Sequence, residues 1–215
     1  FILFFGLSPI SVHGSFDHWQ LVLTWPPGFC EIKHCPKKPI PKNFTIHGVW
    51  PDHTDYIMYD CNPNKEFKKI YDKHLLNKLE SRWPQLTSHE YAGLNDQTFW
   101  KYEYEKHGLC CEKVYDQSQY FDIAMKLKDS IDLLNILTTN RIVPGFQYSY
   151  TGDQISSAIK RVTQKDPNPK CTYSKGGLEL TEIGICFNRT TNALMRCPRN
   201  SNSCKLGTTT KVVFR

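Results

Sequence analysis

Short β-rich runs occupy both ends of the chain, and apolar residues recur at helical spacing between them. Gln20–Trp25 is a run of strand formers that Pro26-Pro27 stops, and Phe44–Trp50 is a second, stopped by Pro51. Phe67, Ile70, Tyr71, Leu75 and Leu79 share a helical face that ends before Pro84. Trp100–His107 reads as a helix. Tyr120, Ile123, Ala124, Leu127, Ile131 and Leu134 predict a longer one with Ser118 as N-cap. Ile155, Ala158, Ile159 and Val162 predict a short helix ahead of a loop carrying Pro167 and Pro169. Leu178–Phe187 and Lys211–Phe214 return to strand patterns between polar turns. With no internal repeat and no dividing linker, the pattern predicts a single α+β domain, helices packed on an antiparallel sheet.

Composition adds a compartment to this fold. Phe1–Leu7 is apolar and uncharged, and small residues follow up to Val12-His13-Gly14. Residues 1–14 therefore resemble the core and cleavage region of a secretory signal, truncated because no initiator Met or basic start precedes them. A buried N-terminal strand would not account for the abrupt change at Ser15. The folded domain is then expected over 15–215, secreted and extracellular. The segment 1–14 holds no Lys, Arg, Asp or Glu, so the net charge of +6 belongs to the mature chain and points to a polyanionic partner or a negatively charged surface, without choosing between them. No apolar stretch reaches the ~18 residues of a membrane span. Secretion makes disulfides the default use of the nine cysteines, with one left over. It also makes glycan sites of the sequons at Asn43 and Asn188.

Two segments concentrate reactive side chains. In Phe44-Thr45-Ile46-His47-Gly48-Val49-Trp50-Pro51-Asp52, strand alternation places Phe44 and Ile46 on one face and Thr45, His47 and Val49 on the other. Gly48 lets a ligand approach the backbone, Trp50 offers a flat apolar face, and Asp52 offers acceptors to a base edge. In Trp100-Lys101-Tyr102-Glu103-Tyr104-Glu105-Lys106-His107-Gly108-Leu109-Cys110-Cys111, Glu103, Lys106 and His107 share one helix face, with Gly108 suited to its end. Such a face is ordinarily just wet surface, so spacing alone does not make His47 and His107 a catalytic pair.

The two blocks resemble the active-site segments of the ribonuclease T2 family. The resemblance extends to Leu21-Val22-Leu23-Thr24-Trp25-Pro26, to Leu178-Glu179-Leu180-Thr181-Glu182-Ile183 and to Arg196-Cys197-Pro198, covering nearly the whole mature chain. The doubled Cys110-Cys111 and the basic charge are most similar to the S-RNases, the style ribonucleases of plant self-incompatibility. What the resemblance implies is metal-independent cleavage of single-stranded RNA without a cofactor, giving 2′,3′-cyclic phosphates and then 3′-phosphates. His107 would be the general base, His47 the general acid, and Glu103 and Lys106 would stabilise the phosphorane. Trp50 and Asp52 would hold one base and Phe99 the other. Tyr102 stands where many members have a third active-site His, and its phenol donates a hydrogen bond without carrying positive charge. Leu109 replaces a more usual Thr or Ser. The resemblance also implies the bridges Cys30–Cys35, Cys61–Cys110, Cys171–Cys204 and Cys186–Cys197, leaving Cys111 unpaired and buried. It implies a monomer without membrane attachment, whose exposed loops, here residues 53–75, are read by pollen F-box proteins.

Rival uses of these residues are a zinc site drawing on Cys30-x4-Cys35 and His107-x2-Cys110, disfavoured by secretion, and a thiol protease without a recognisable nucleophile context. Lysine clusters at 33/37/38/42, at 65/68/69/73 and at Lys160/Arg161/Lys165 are either solvated faces or attractors of RNA. At the level of biology, the rivals are an S-like ribonuclease for phosphate scavenging or defence, and a non-catalytic recognition or storage glycoprotein on the same scaffold.

Overall fold

The computed structural model describes residues 16–89, 92–199 and 202–215, so the expected signal segment 1–14 lies outside the described residues. Strands β1 (His18–Thr24), β2 (Thr45–Asp52), β3 (Ser149–Thr151), β4 (Asn168–Ser174), β5 (Gly177–Asn188), β6 (Leu194–Met195) and β7 (Lys211–Val213) form one sheet. Its path runs β2-β1-β5-β7-β3, with β4 and β6 also pairing with β5. All pairings are antiparallel except β5 with β7. Helices α1 (Pro26–Ile32), α2 (Lys73–Arg82), α3 (Ala92–Asp96), α4 (Thr98–Lys106), α5 (Gln117–Asp129), α6 (Leu133–Thr139) and α7 (Gly152–Thr163) complete the α+β domain. Trp19, Leu21 and Leu23 of β1 are buried in the core with Trp83, Trp100, Tyr120 and Phe121, and the Tyr120 hydroxyl donates to the Val49 carbonyl at 2.9 Å. That bond satisfies a buried polar group and fixes α5 against β2. No helix among the described residues is long and apolar enough to cross a membrane.

Local chemistry moves several boundaries from those the periodicity predicts. Pro26-Pro27 ends β1 and also opens α1, because proline's fixed φ suits a first helical turn. The helix predicted from Phe67 begins at Lys73, where Asp72 caps it by accepting from the amides of His74 and Leu75. Phe67 and Ile70 pack against the core from an irregular segment whose amides donate to Glu105 and Gln97. Asp116, rather than Ser118, caps α5 through a capping box with Gln119, and a second cap at Asp132 splits the predicted long helix into α5 and α6. Val162 is exposed, and Thr163 is buried on α7 instead. The expected Pro167/Pro169 loop is in part β4, which pairs only with β5 and tolerates Pro169 as an edge strand does.

Disulfides join Cys30 to Cys35, Cys61 to Cys110, Cys171 to Cys204 and Cys186 to Cys197, leaving Cys111 free and buried. Burial pushes the Cys111 thiol up to about 12, and its Sγ–H donates to the Gly108 carbonyl, so it packs as a small apolar side chain. Thiol titration of the denatured, unreduced protein should therefore find one reactive group per chain, and the native protein none. Three or more in the denatured protein would contradict this pairing.

Candidate active site

Strand β2 carries a bulge where its chemistry lies. Val22 pairs with Gly48 and Leu23 with Ile46, so His47 is an extra residue without a partner on β1. The inserted residue resets the alternation. Phe44, Ile46 and Val49 are all buried in the core, while His47, Trp50 and Asp52 line one pocket. The expectation that Val49 shares a face with His47 is thereby corrected: an unbroken strand would put one of them on the wrong side.

Two carboxylates flank the His47 ring, and two tryptophans meet its edge and its backbone. Its Nδ1 is hydrogen-bonded to Glu182 on β5, and its Nε2 lies 3.7 Å from Glu103 Oε1 on α4. The indole of Trp83 donates to the His47 carbonyl at 2.8 Å, and Trp50 meets the imidazole edge to face at 5.8 Å. Burial disfavours the imidazolium, and Lys170 opposes it too, but the carboxylates of Glu182 and Glu103 outweigh both and raise the His47 pKa.

His107 follows α4 as its C-cap, and its amide bonds to the Glu103 carbonyl at 3.0 Å. The ring stacks on Trp50 at 4.8 Å, so one indole touches both histidines. Burial first, then the charges of Lys106 and His47, lower the His107 pKa to about 3, against weak opposition from the Met58 backbone. Gly108 opens a 3-10 turn over Gly108–Cys111 instead of ending α4 as a C-cap glycine, and Leu109 is packed in the core. Glu103 is buried; its Oε2 accepts from the Trp50 indole at 3.0 Å, and burial raises its pKa despite His47, Trp50 and Lys106. Gly48 lies beneath this bond, where a Cβ would come within 2.2 Å of Glu103 Oε2 and 2.3 Å of Trp50 Nε1. The glycine therefore admits the protein's own groups rather than a ligand.

The pocket has a volume near 930 Å³ and brings together His47, Trp50, Asp52, Tyr102, Glu103, Lys106 and His107 from the residues singled out by sequence. Lys106 Nζ donates to the Tyr102 hydroxyl at 2.9 Å, which raises the lysine's pKa. Asp52 is engaged internally: Oδ1 accepts from the His53 and Met58 amides, both at 2.9 Å, and Oδ2 pairs with Arg199. Phe99 lies elsewhere, in a smaller apolar recess on another side of His47 with Phe29, Pro84 and Leu86. Sequence reasoning left out Glu182, Lys170 and Arg199. Lys170 sits 5.2 Å over the Trp50 ring and 3.5 Å from Glu182 Oε2. A polar residue inside the apolar run of β5 was the available signal for Glu182. Lysines of the sequence clusters are partly spent on ion pairs, Lys37 with Glu80 and Lys160 with Asp166.

The model of the Ribonuclease T2 family matches residues 16–197. Ribonuclease S-7 of Nicotiana alata is 46% identical over 205 residues, covering 95% of this chain and 91% of its own length. The crystal structure of the gametophytic self-incompatibility associated SF11-RNase, also of Nicotiana alata, superposes with a TM-score of 0.85 at 45% identity, over 93% of this chain and 99% of that one. An RNase MC1 mutant in complex with 5′-GMP superposes with a TM-score of 0.77 at 26% identity, over 93% and 100% of the two chains.

Two measurements check the site as drawn. NMR titration of the imidazoles should find His107 neutral and His47 charged at about pH 5, on either side of their common reference value; a His107 titrating at that reference would contradict its burial beside Lys106. Gly48→Ala should cost about 1–3 kcal/mol in urea denaturation, because the methyl group displaces the Glu103–Trp50 bond. An unchanged midpoint would show that the site yields without strain.

Proposed function

The chain belongs to the ribonuclease T2 family, and from that premise we propose that it is an endoribonuclease that cleaves single-stranded RNA by transphosphorylation. One observation carries the reading: two imidazoles share a pocket and an indole, and their surroundings drive their proton affinities apart. Neutral His107 takes the proton from the 2′-hydroxyl as that oxygen attacks phosphorus. Charged His47 gives its proton to the 5′-oxygen as the P–O5′ bond breaks, leaving a 2′,3′-cyclic phosphate that water opens to the 3′-phosphate. Lys106 stabilises the phosphorane by its charge, and Glu103, held against the same wall of the pocket by the Trp50 indole, assists it. Tyr102, tied to Lys106, adds a donor at the phosphate. None of these steps calls for a metal or cofactor.

Base binding divides between the two recesses beside His47. Trp50, its ring already stacked by His107 and covered by Lys170, contributes its rim to the larger, where Asp52 holds Arg199 at the wall; Phe99 provides an aromatic face in the smaller. The S-RNase relatives support a self-incompatibility role, and the proposal extends to a secreted, monomeric glycoprotein acting in the style. Asn43 and Asn188 are both exposed and fit as glycan carriers. Tyr56, Ile57, Tyr59 and Tyr71, exposed within 53–75, are the surface offered to pollen F-box proteins.

Incubation with single-stranded RNA in EDTA should yield cyclic phosphates, and His47→Asn and His107→Asn should each slow the reaction by about 10²–10⁴-fold. The sign of each shift sets the pH profile. Activity falls on the acid side as His107 gains a proton and on the alkaline side as His47, with its raised pKa, loses one. No cyclic product from the wild type would remove the enzymatic reading, and full activity in either variant would remove that residue's role.

A further inference from the structure

Glu182 has no part in the chemistry just described, yet its contact with His47 is closer than any other charged group's. It lies on β5, with β1 separating it from β2: Thr24 pairs with Glu182 on one side and with Thr45 on the other. The bulge carries His47 past that level and lets the imidazole reach across β1 to the carboxylate. Glu182 Oε1 takes Nδ1 of His47, and Oε2 lies 3.5 Å from Lys170, its register partner on β4. A cross-strand Lys–Glu pair would satisfy this carboxylate by itself. Directing one oxygen at a histidine in the pocket does something more.

Resting on the reading of His47 as the acid, we propose that Glu182 is the positioning residue of the reaction, fixing the His47 imidazole through Nδ1 so that Nε2 is the nitrogen presented to the substrate. Nδ1–H donates to Glu182 in both protonation states, so the proton that moves is the one on Nε2. It passes to the 5′-oxygen as the P–O5′ bond breaks, while Nδ1–H stays on Glu182. Lys170 restrains Glu182 from the far side and, from 5.2 Å above Trp50, ties the positioning pair to the indole that touches both histidines. The charged or titratable groups facing His47 are Glu182 on β5, Lys170 on β4, Glu103 on α4 and His107 at the α4 C-cap. Two of them give shifts of opposite sign. Glu182 raises the His47 pKa and Lys170 lowers it.

The test uses Glu182→Gln, which keeps an acceptor oxygen but removes the charge, and Lys170→Met, which removes the opposing charge. NMR titration of His47 is read beside pH profiles of kcat and KM on single-stranded RNA. In Glu182→Gln the His47 pKa and the alkaline limb of kcat should fall together, by about one unit or more. In Lys170→Met both should rise. In Glu182→Gln, KM should stay within about twofold, because the effect lies on proton delivery and not on binding. An alkaline shift only in stability, with His47 titrating as in the wild type, would overturn the positioning role alone. If the His47 titration moved while the limb of kcat did not, the acid assignment would be overturned and the positioning role with it.

Discussion

Burying the carboxylate of Glu103 sets the terms on which its surroundings are arranged. A carboxylate out of contact with solvent requires donors or cations around it, and here they are the Trp50 indole, the His47 imidazole and the Lys106 ammonium. Their convergence needs a backbone with no side chain at position 48 and a strand that turns His47 towards α4 without pulling Val49 out of the core. Glycine meets the first requirement and the bulge the second. Trp50, pinned by its N–H, becomes a wall against which both imidazoles rest.

Two identical side chains acquire opposite chemistry from that arrangement. His47 lies between carboxylates contributed by β5 and α4, and their charges overcome the desolvation it shares with His107. Among the described residues no carboxylate is set against His107, the Met58 backbone alone favours its charged form, and the charges that bear on it, Lys106 and His47, are positive. The division of labour between acid and base thus rests on which strand or helix end approaches each ring.

What could be read from sequence follows the reach of each interaction. His47, Trp50, Glu103, Lys106 and His107 stand in two continuous blocks whose wording is local, and the α+β class follows from runs that proline punctuates. The bulge leaves no mark in composition, and the alternation rule accordingly misplaced Val49 relative to His47. Caps decided by a pair of local hydrogen bonds, Asp116 over Ser118 and Asp72 after Tyr71, moved helix starts that apolar spacing alone set too early or too late. Glu182 and Arg199 were out of reach for another reason. They meet His47 and Asp52 across 135 and 147 residues of chain, through pairings that only the folded sheet and the Cys186–Cys197 bridge create.

The segment from His53 to Cys61 is held by its backbone at several points, by the buried Met58 side chain and by a disulfide. The amides of His53 and Met58 bond to Asp52, Arg199 takes the carbonyls of His53 and Thr54, the Asp60 amide bonds to the Lys106 carbonyl, and Cys61 is bridged to Cys110. Tyr56, Ile57 and Tyr59 are exposed along this path, and Ile57 and Tyr59 line the mouth of the pocket. Main-chain bonds at these points leave the course of the rim independent of its three exposed side chains. Exchanging Tyr56, Ile57 or Tyr59 would therefore alter what the mouth of the pocket presents to an incoming molecule and leave the path of the rim intact.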